Sequence, residues 1–499
     1  MTLWPNSAGG RLISSSGRMS PDLLAIDTFS FTPHLETSGE ICIIESLAGS
    51  SVGFVFIYID NPDDATCSPL LALFGRQKRK KVDKLQRLLS AHGVKQIAQP
   101  RLSNSARRDA AKFATNRLTT MEDLKNMSYK GAALGIGAAS SLISFTGDEE
   151  PDVRAHSDLI NRYLRASALV FESACLLMRQ YEPKSVLVFN GRLACARAVV
   201  EAAQQFQISC LLHERGATFQ RYEIFDSEIN HMPYMRQRIR HAWGLAGTDR
   251  EALGRSFFDR RRNGDGIGWT SFIGDQERGF IPPRGANRRL VYFSSNNDEY
   301  ATASEMAHTL FKSQRHAVCF LVEWVGQQTN VELVIRVHPG AQTRSLRERE
   351  WWDSLDGANV KLIPSASKTD SYALAESADT VLTYNSSIGV EASFFGKPVI
   401  LLGDTDYRGF GCAYEPETIE DLEALLARTT LPPKPPENAL PFGHYYLTFG
   451  CEYRVYQPFN LFQGSFMGLE LGAGPKLLRR FKASKAGKAL KMLRSRIIK

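Results

Sequence analysis

From Arg289 to Arg428 the chain alternates short, β-branched runs with stretches of helical period. The runs are RLVYF (289–293), VELVIRV (331–337), ANVKLI (358–363), TVLTY (380–384) and PVILL (398–402). Between and after them, 303–327, SYALAESA (371–378), SIGVEASFFG (387–396) and TIEDLEALLAR (418–428) carry helical spacing. Parallel strands cannot be joined by tight hairpins, and each pair needs a crossover, most simply a helix. The alternation therefore restricts this segment to βαβ units on a parallel sheet.

A second alternation occupies the first half. ICII (41–44) and FVFIYI (54–59) read as strands, LQRLLSAHG (85–93) as helix and VKQIA (94–98) as strand. Residues 154–181 carry a long helical period, followed by strand SVLVF (185–189), helix RLACARAVVEAAQQF (192–206) and strand ISCLL (208–212). The Gly-, Arg- and Pro-rich stretch around RRRNGDGIG and GFIPPRGAN has weak periodicity and reads as a linker. The expected organisation is a loose N-terminus (1–20), an α/β domain (21–254), a linker (255–287) and a second α/β domain (288–430). A proline-rich connection and return segment (431–475) and a basic tail (476–499) follow. The predicted fold class is α/β, two Rossmann-like domains facing a cleft, because ligands bind at the carboxyl ends of such strands.

The totals exclude several classes. With 43% apolar and 23% charged residues the chain has the composition of a globular protein rather than a disordered one. The N-terminus lacks a basic start followed by an apolar core, so no signal peptide is expected. The longest uncharged run, Gly131 to Gly147, is shorter than the roughly 20 apolar residues of a spanning helix. The eight cysteines are scattered without zinc-ligand spacing, and a reducing cytoplasm is the expected compartment.

Three punctuated strands carry the candidate chemistry. TVLTY runs into Asn385-Ser386-Ser387 and then a helix, with Gly389 and Glu391 in its first turns. Small hydroxylated residues at a helix start allow a phosphate to approach the first amides, although a serine there is also an ordinary cap. VELVIRV runs through Arg336 into His338-Pro339-Gly340, where an imidazole is placed to donate to a phosphate leaving group or to serve as a plain loop residue. RLVYF is followed by Ser294-Ser295, a phosphate-contacting turn or a polar loop. Glu391 suits a ribose diol, or favours the helix start.

These motifs, RVHPG followed by DSYALAESADTVLTYNSSIGVEASFFGKPVILLG, resemble the bacterial capsule polysaccharide biosynthesis proteins, a family that includes Kdo transferases. They also resemble the His-Pro and Ser-Ser motifs of bacterial sialyltransferases. The resemblance covers roughly 290–426, is weaker over 185–245, and is absent before 150 and after 440. It implies the GT-B architecture and a CMP-activated acidic sugar, Kdo or sialic acid. By position it implies that His338, Ser386 and Ser387 hold the donor phosphate and that Glu391 contacts the nucleotide. Ser294, Ser295, Arg336 and Gly389 complete the expected donor site. The family's base is an N-domain carboxylate whose motif has no match here. The local candidate is Glu214 in HERG, a general base for the acceptor hydroxyl or one half of an ion pair with Arg192 or Arg215. Asn190, Arg192 and Arg215 are the expected acceptor-side residues, the arginines suiting a carboxylate.

The Asp-x-Asp string in GDTDY (403–407) follows a late strand and reads as a sugar-side loop, so no metal and no cofactor are expected. GRQKRKKVDK (75–84) reads as a solvated basic face. From Lys476 to Lys499 there are ten Lys or Arg and no acid, with Leu478, Phe481, Ala489, Leu493 and Ile497 able to share one helical face. Such a segment suits the anionic inner face of the cytoplasmic membrane. No nucleic-acid module accompanies it. The expected function is a metal-independent GT-B glycosyltransferase of capsule or other surface polysaccharide. It would act on a nucleotide sugar and a glycan or glycolipid acceptor, in the cytoplasm and peripherally on the membrane. The alternatives are a nucleotide-sugar 2-epimerase and a non-catalytic nucleotide-sugar-binding component of export.

Overall fold

The computed structural model describes residues 20–64, 72–115, 117–265, 273–295, 310–343, 345–355, 357 and 359–471. The N-terminal stretch 1–19 and the basic tail 476–499 lie outside them, as do the loop after Ser295 and the start of the helix expected at 303–327. The chain forms two compact units. One comprises the described residues of Met1–Phe145, Glu150–Ile229 and Gly450–Lys499, the other those of Thr146–Glu149 and Asn230–Phe449.

In the first unit the chain runs β1 (Leu23–Asp27), α1 (His34–Leu47), β2 (Val52–Phe56), α2 (Ala72–Ala91), β3 (Lys95–Gln96), α3 (Asn104–Phe113) and α4 (Met121–Lys125). It continues as α5 (Leu134–Thr146), α6 (Ser157–Tyr181), β4 (Ser185–Phe189), α7 (Ala194–Gln205), β5 (Ser209–Arg215) and β6 (Arg221–Phe225). The second unit contains α8 (Met232–Leu245), α9 (Arg250–Asn263), β7 (Arg288–Phe293), α10 (Gln314–Gly326), β8 (Val331–Arg336), α11 (Leu346–Asp353) and β9 (Val360–Ile363). Then follow α12 (Ser371–Ser377), β10 (Thr380–Thr383), α13 (Ile388–Phe394), β11 (Val399–Leu401), α14 (Ile419–Ala427) and α15 (Leu440–Thr448). The chain finally returns to the first unit with β12 (Cys451–Glu452), β13 (Tyr456–Asn460) and β14 (Gln463–Phe466).

Each unit is a Rossmann-like α/β body. The second holds a five-stranded sheet in the order β11-β10-β7-β8-β9, parallel throughout. The first holds a seven-stranded sheet in the order β12-β6-β5-β4-β1-β2-β3. Its β5-β4-β1-β2-β3 part is parallel, β6 pairs antiparallel with β5, and β12 pairs antiparallel with β6. In both sheets the first strand of the parallel set is central, and later strands are added to either side. The strand order therefore reverses between β1 and β4 in one unit and between β7 and β10 in the other. Helices cannot cover both sides of a reversal, and the crevice left at the carboxyl ends is where such sheets bind ligands.

Three sequence expectations need correction. ICII lies inside α1, whose Ile41, Cys42 and Ile43 are all buried. A helix covered on nearly every side shows no polar stripe, so a β-branched run within it mimics a strand. The unit boundary falls at Asn230 rather than near 254, and 250–263 is helix rather than linker. Arginines crowd the exposed side of α9, while its buried side is only Gly254, Phe257 and Phe258. The proline-rich segment does not close the second unit either, because α15 follows it and packs on α9. Gly254 and Gly443 meet there, and a Cβ on Gly443 would stand 2.5 Å from the Gly254 carbonyl. Phe257 and Phe442 meet edge to face beside that contact, their centroids 5.8 Å apart. Among the described residues no helix is long and apolar enough to cross a membrane.

Candidate functional site

Three turns leave the carboxyl ends of β7, β8 and β10 side by side, since Phe293 pairs with both Arg336 and Thr383. A pocket of about 110 Å³, open to solvent, lies among them inside the second unit. Ser294, Arg336, His338, Ser386, Ser387 and Glu391 all line it. Six of the predicted donor residues are thus brought together.

The His338 ring is fixed by its neighbours. Its backbone N–H donates to Ser294 Oγ at 2.8 Å, and its Nδ1 accepts from the Gly340 N–H at 3.0 Å. In the neutral ring the proton therefore sits on Nε2. Pro339 lacks an N–H and opens the short turn that brings the Gly340 amide back to the imidazole.

The turn after β10 is organised around its hydroxyls. The Ser386 N–H donates to Thr383 Oγ1 at 3.0 Å and the Asn385 N–H to Ser295 Oγ at 3.2 Å. Ser387 occupies the cap position of α13 but does not cap it. Its hydroxyl donates instead to Glu391 Oε1 at 3.1 Å. The expected serine cap is thus replaced by a contact one turn ahead. The amides of Ser387 and Ile388 have no acceptor among the described residues. Both residues line the pocket. The two polar atoms of the Asn385 side chain are buried without a protein partner as well.

Arg336 supplies the positive charge. It is 2% exposed, and its guanidinium donates only to carbonyls, those of Val337, Pro364 and Ser367. No carboxylate pairs with it among the described residues, and its Nε has no acceptor. Burial pulls its pKa down to about 10, so it stays charged at neutral pH. An uncompensated buried cation facing a pocket favours an anionic occupant.

Glu391 is the hub of the opposite wall. Its Oε1 also accepts from Arg261 Nη2 at 3.1 Å, and Tyr372 Oη donates to its Oε2. The carboxylate raises the pKa of Arg261, and burial together with that carboxylate raises the pKa of Tyr372. Sequence reasoning missed both partners. Arg261 lay in the RRR string assigned to a linker, and nothing in SYALAESA marks Tyr372.

Two predicted donor residues stand behind the pocket. Ser295 is buried and bridges the β7 and β10 turns, accepting from the Asn385 amide and donating its own amide to Gln314 Oε1 at 2.6 Å. Gly389 packs on Tyr407, where a Cβ would meet the phenolic oxygen at 2.4 Å. Tyr407 in turn donates to the Ser386 carbonyl at 2.9 Å, so the glycine lets a tyrosine brace the turn.

The Asp-x-Asp string is internal. Asp404 pairs with Arg236 at 2.5 Å and Asp406 accepts from Tyr446. Both carboxylates bolt their loop to α8 and α15, which corrects the sugar-side assignment.

In the first unit, Asn190 Nδ2 donates to Glu214 Oε2 at 2.7 Å, and burial raises the Glu214 pKa. Arg192 and Arg215 act on Glu214 electrostatically, against the effect of burial, while their guanidinium groups hydrogen-bond to other groups. Arg192 donates to Ser140 Oγ and Ser144 Oγ, and Arg215 donates to the Leu461 carbonyl. Sequence reasoning also passed over a buried chain at the ends of β1 and β5. Ser38 donates to Asp27 Oδ1 at 3.1 Å, so it accepts from His213 Nε2 at 2.8 Å. Burial lifts Asp27 to about 8 and lowers His213 to about 3.

No family model matches the sequence, and no curated protein matches it. Among solved structures it is similar to Thermosulfurimonas dismutans KpsC, a beta Kdo 2,4 transferase. That match has 14% identity over 53% of this chain and 79% of that one, with a TM-score of 0.37. The same organism's KpsC beta Kdo 2,7 transferase matches at 16% identity over 55% and 79%, with a TM-score of 0.33. UDP-GlcNAc 2-epimerase from Neisseria meningitidis, bound to UDP-GlcNAc, matches at 14% identity over 85% and 96%, with a TM-score of 0.27.

Proposed function

We propose that the protein is a glycosyltransferase of surface polysaccharide assembly. Its donor is a nucleotide-activated sugar whose phosphate sits in the pocket of the second unit. One observation carries this reading. Among the described residues, a buried guanidinium without a carboxylate partner shares a pocket with an imidazole N–H, two serine hydroxyls and two unused amides. That set suits a phosphate. The resemblance of residues 290–426 to capsule biosynthesis proteins supports CMP-activated Kdo or sialic acid as the donor.

As the sugar leaves, negative charge grows on the nucleotide phosphate. His338 Nε2–H and the Ser387 and Ile388 amides would donate to it, and Arg336 would stabilise it through its charge. A carboxylate has about four acceptor directions, and Arg261, Ser387 and Tyr372 use three at Glu391, leaving one for a ribose hydroxyl. Glu214 would take the proton of the acceptor hydroxyl in a direct, metal-independent displacement with inversion, and its raised pKa strengthens it as a base.

A thermal-shift series with CMP, CDP, UDP and GDP tests the donor assignment. Only a ligand of the native state raises the melting temperature. A rise with CMP that is lost in His338→Ala supports the reading, and four flat responses sink it. A second reading, nucleotide-sugar 2-epimerase, draws support from the acids gathered in the first unit, where Glu36 acts electrostatically on the buried Asp27. Turnover of a nucleotide sugar without any acceptor would select it.

A further inference from the structure

We infer that the β13–β14 hairpin is an apolar wedge that seats the protein on an anionic lipid surface. This goes beyond the donor-site reading and does not depend on it. Nine large apolar side chains stand exposed among the described residues, and four of them fall on this hairpin and the residues just after it. They are Phe459 (56% exposed), Phe462 (68%), Met467 (39%) and Leu469 (51%). From Gln457 to Leu469 there is no charged residue. Elsewhere exposed apolar residues are scattered singly, which needs no explanation, whereas a concentration of them marks an interaction surface.

The base of the hairpin is held firmly while its tip is bare. Glu40 accepts the backbone N–H groups of Arg454, Val455 and Tyr456 at 2.7, 2.9 and 2.7 Å. Tyr456 and Phe466 are buried in the core of the first unit. Arg215 donates to the Leu461 carbonyl and lies 5.3 Å from the centroid of the Phe462 ring. The tip is thus braced from below, with its phenylalanines outward and its arginine beneath. A braced apolar tip loses little conformational freedom when it is buried, so more of its burial appears as affinity.

Charge decides the occupant. The chain continues from the hairpin, past Leu471, into the segment that carries ten Lys or Arg and no acid between Lys476 and Lys499. A second copy of this chain would bring a second such segment to the same place, and the two would repel. An anionic bilayer attracts the basic segment and accepts uncharged aromatic side chains at its interface.

The test compares the full chain with F459S/F462S on vesicles of phosphatidylglycerol and phosphatidylcholine and on vesicles of phosphatidylcholine alone. The wild type should co-sediment with the anionic vesicles, and the double variant should bind them about tenfold or more weakly. Its melting temperature and its response to nucleotides should match the wild type, so failure of the donor assignment and failure of this one are separable. In F462W, emission beyond that of the native tryptophans should shift to the blue and be quenched by brominated acyl chains. That readout also decides the matter if the double variant fails to fold. Equal vesicle binding by the double variant, or unquenched F462W emission, overturns the inference. A concentration-dependent dimer that disappears in F459S/F462S would assign the patch to a second copy instead and overturn it equally.

Discussion

The two reversal points of the molecule have the same topology and opposite interiors. At the β7–β10 reversal the polar groups face a pocket. Among the described residues Arg336 lacks a carboxylate partner and two amides lack acceptors, and His338 presents a defined tautomer. At the β1–β4 reversal the polar groups mostly face one another, although Asp27 Oδ2, Glu36 Oε2 and His213 Nδ1 stay buried without a partner among the described residues. Asp27, Ser38 and His213 form a chain, Lys81 pairs with Glu36 at 2.8 Å, and Lys78 pairs with Asp64 at 2.6 Å. Matched sheets do not make matched sites. An excess of donors in a pocket prepares a place for an anion, while a dense network of buried acids and bases perturbs proton affinities.

Substitutions can break that comparison. The largest expected effect is that of Glu214→Gln. If the first unit supplies the base, turnover falls about 10²–10⁴-fold while nucleotide binding by the second unit is unchanged. Steady-state rates and calorimetry on the same sample separate the two, and a loss of nucleotide affinity would contradict the division of labour. His338→Ala should lower kcat by about 10²–10³-fold and weaken nucleotide binding, with little change in melting temperature. A full-rate variant would remove the imidazole from the phosphate site.

Gly389→Ala sharpens the picture without touching the pocket wall. Its new methyl group must displace Tyr407, which braces the Ser386 carbonyl, so destabilisation of about 1–3 kcal/mol is expected in urea titrations. Nucleotide affinity should fall with it. An unchanged midpoint would show that the turn tolerates movement.

The smallest effect concerns protons. Asp27 titrates near 8 in the folded protein, well above the ordinary carboxylate value of about 4. Folding is therefore increasingly penalised as pH rises from about 4 to about 8, because the unfolded chain gives up that proton first. His213, lowered to about 3, acts in the other direction, and its stabilising contribution is lost as pH falls from about 6.5. Asp27→Asn should accordingly stabilise the protein more at pH 6 than at pH 5, by on the order of 1 kcal/mol. Equal gains at both pH values would mean that the aspartate keeps its charge in the fold.

Much of the second unit was legible in the sequence, because its strands and helices are short, cleanly punctuated and well separated. VELVIRV before His338-Pro339 and TVLTY before Asn385-Ser386-Ser387 announce both the elements and the turns between them. The first unit was less legible. LLAID, which forms β1, has no polar partner residues to mark a half-buried strand, and ICII has the composition of a strand inside a helix. Within the site, Ser294, Arg336 and His338 were found from the ends of apolar runs. Arg261 and Tyr372 escaped because they reach Glu391 from 130 and 19 residues away, and no local pattern encodes such a meeting.

By itself the sequence determined the α/β class, the parallel sheet of the second unit and the turns that carry its hydroxyls and imidazole. Those features follow from periodicity and chain stiffness, which act over a few residues. Only the tertiary structure decided that Arg336 would have no counter-ion among the described residues, and that Asp404 and Asp406 would be consumed by Arg236 and Tyr446. Charge pairing and burial depend on which distant residues share a space, and the fold alone sets that.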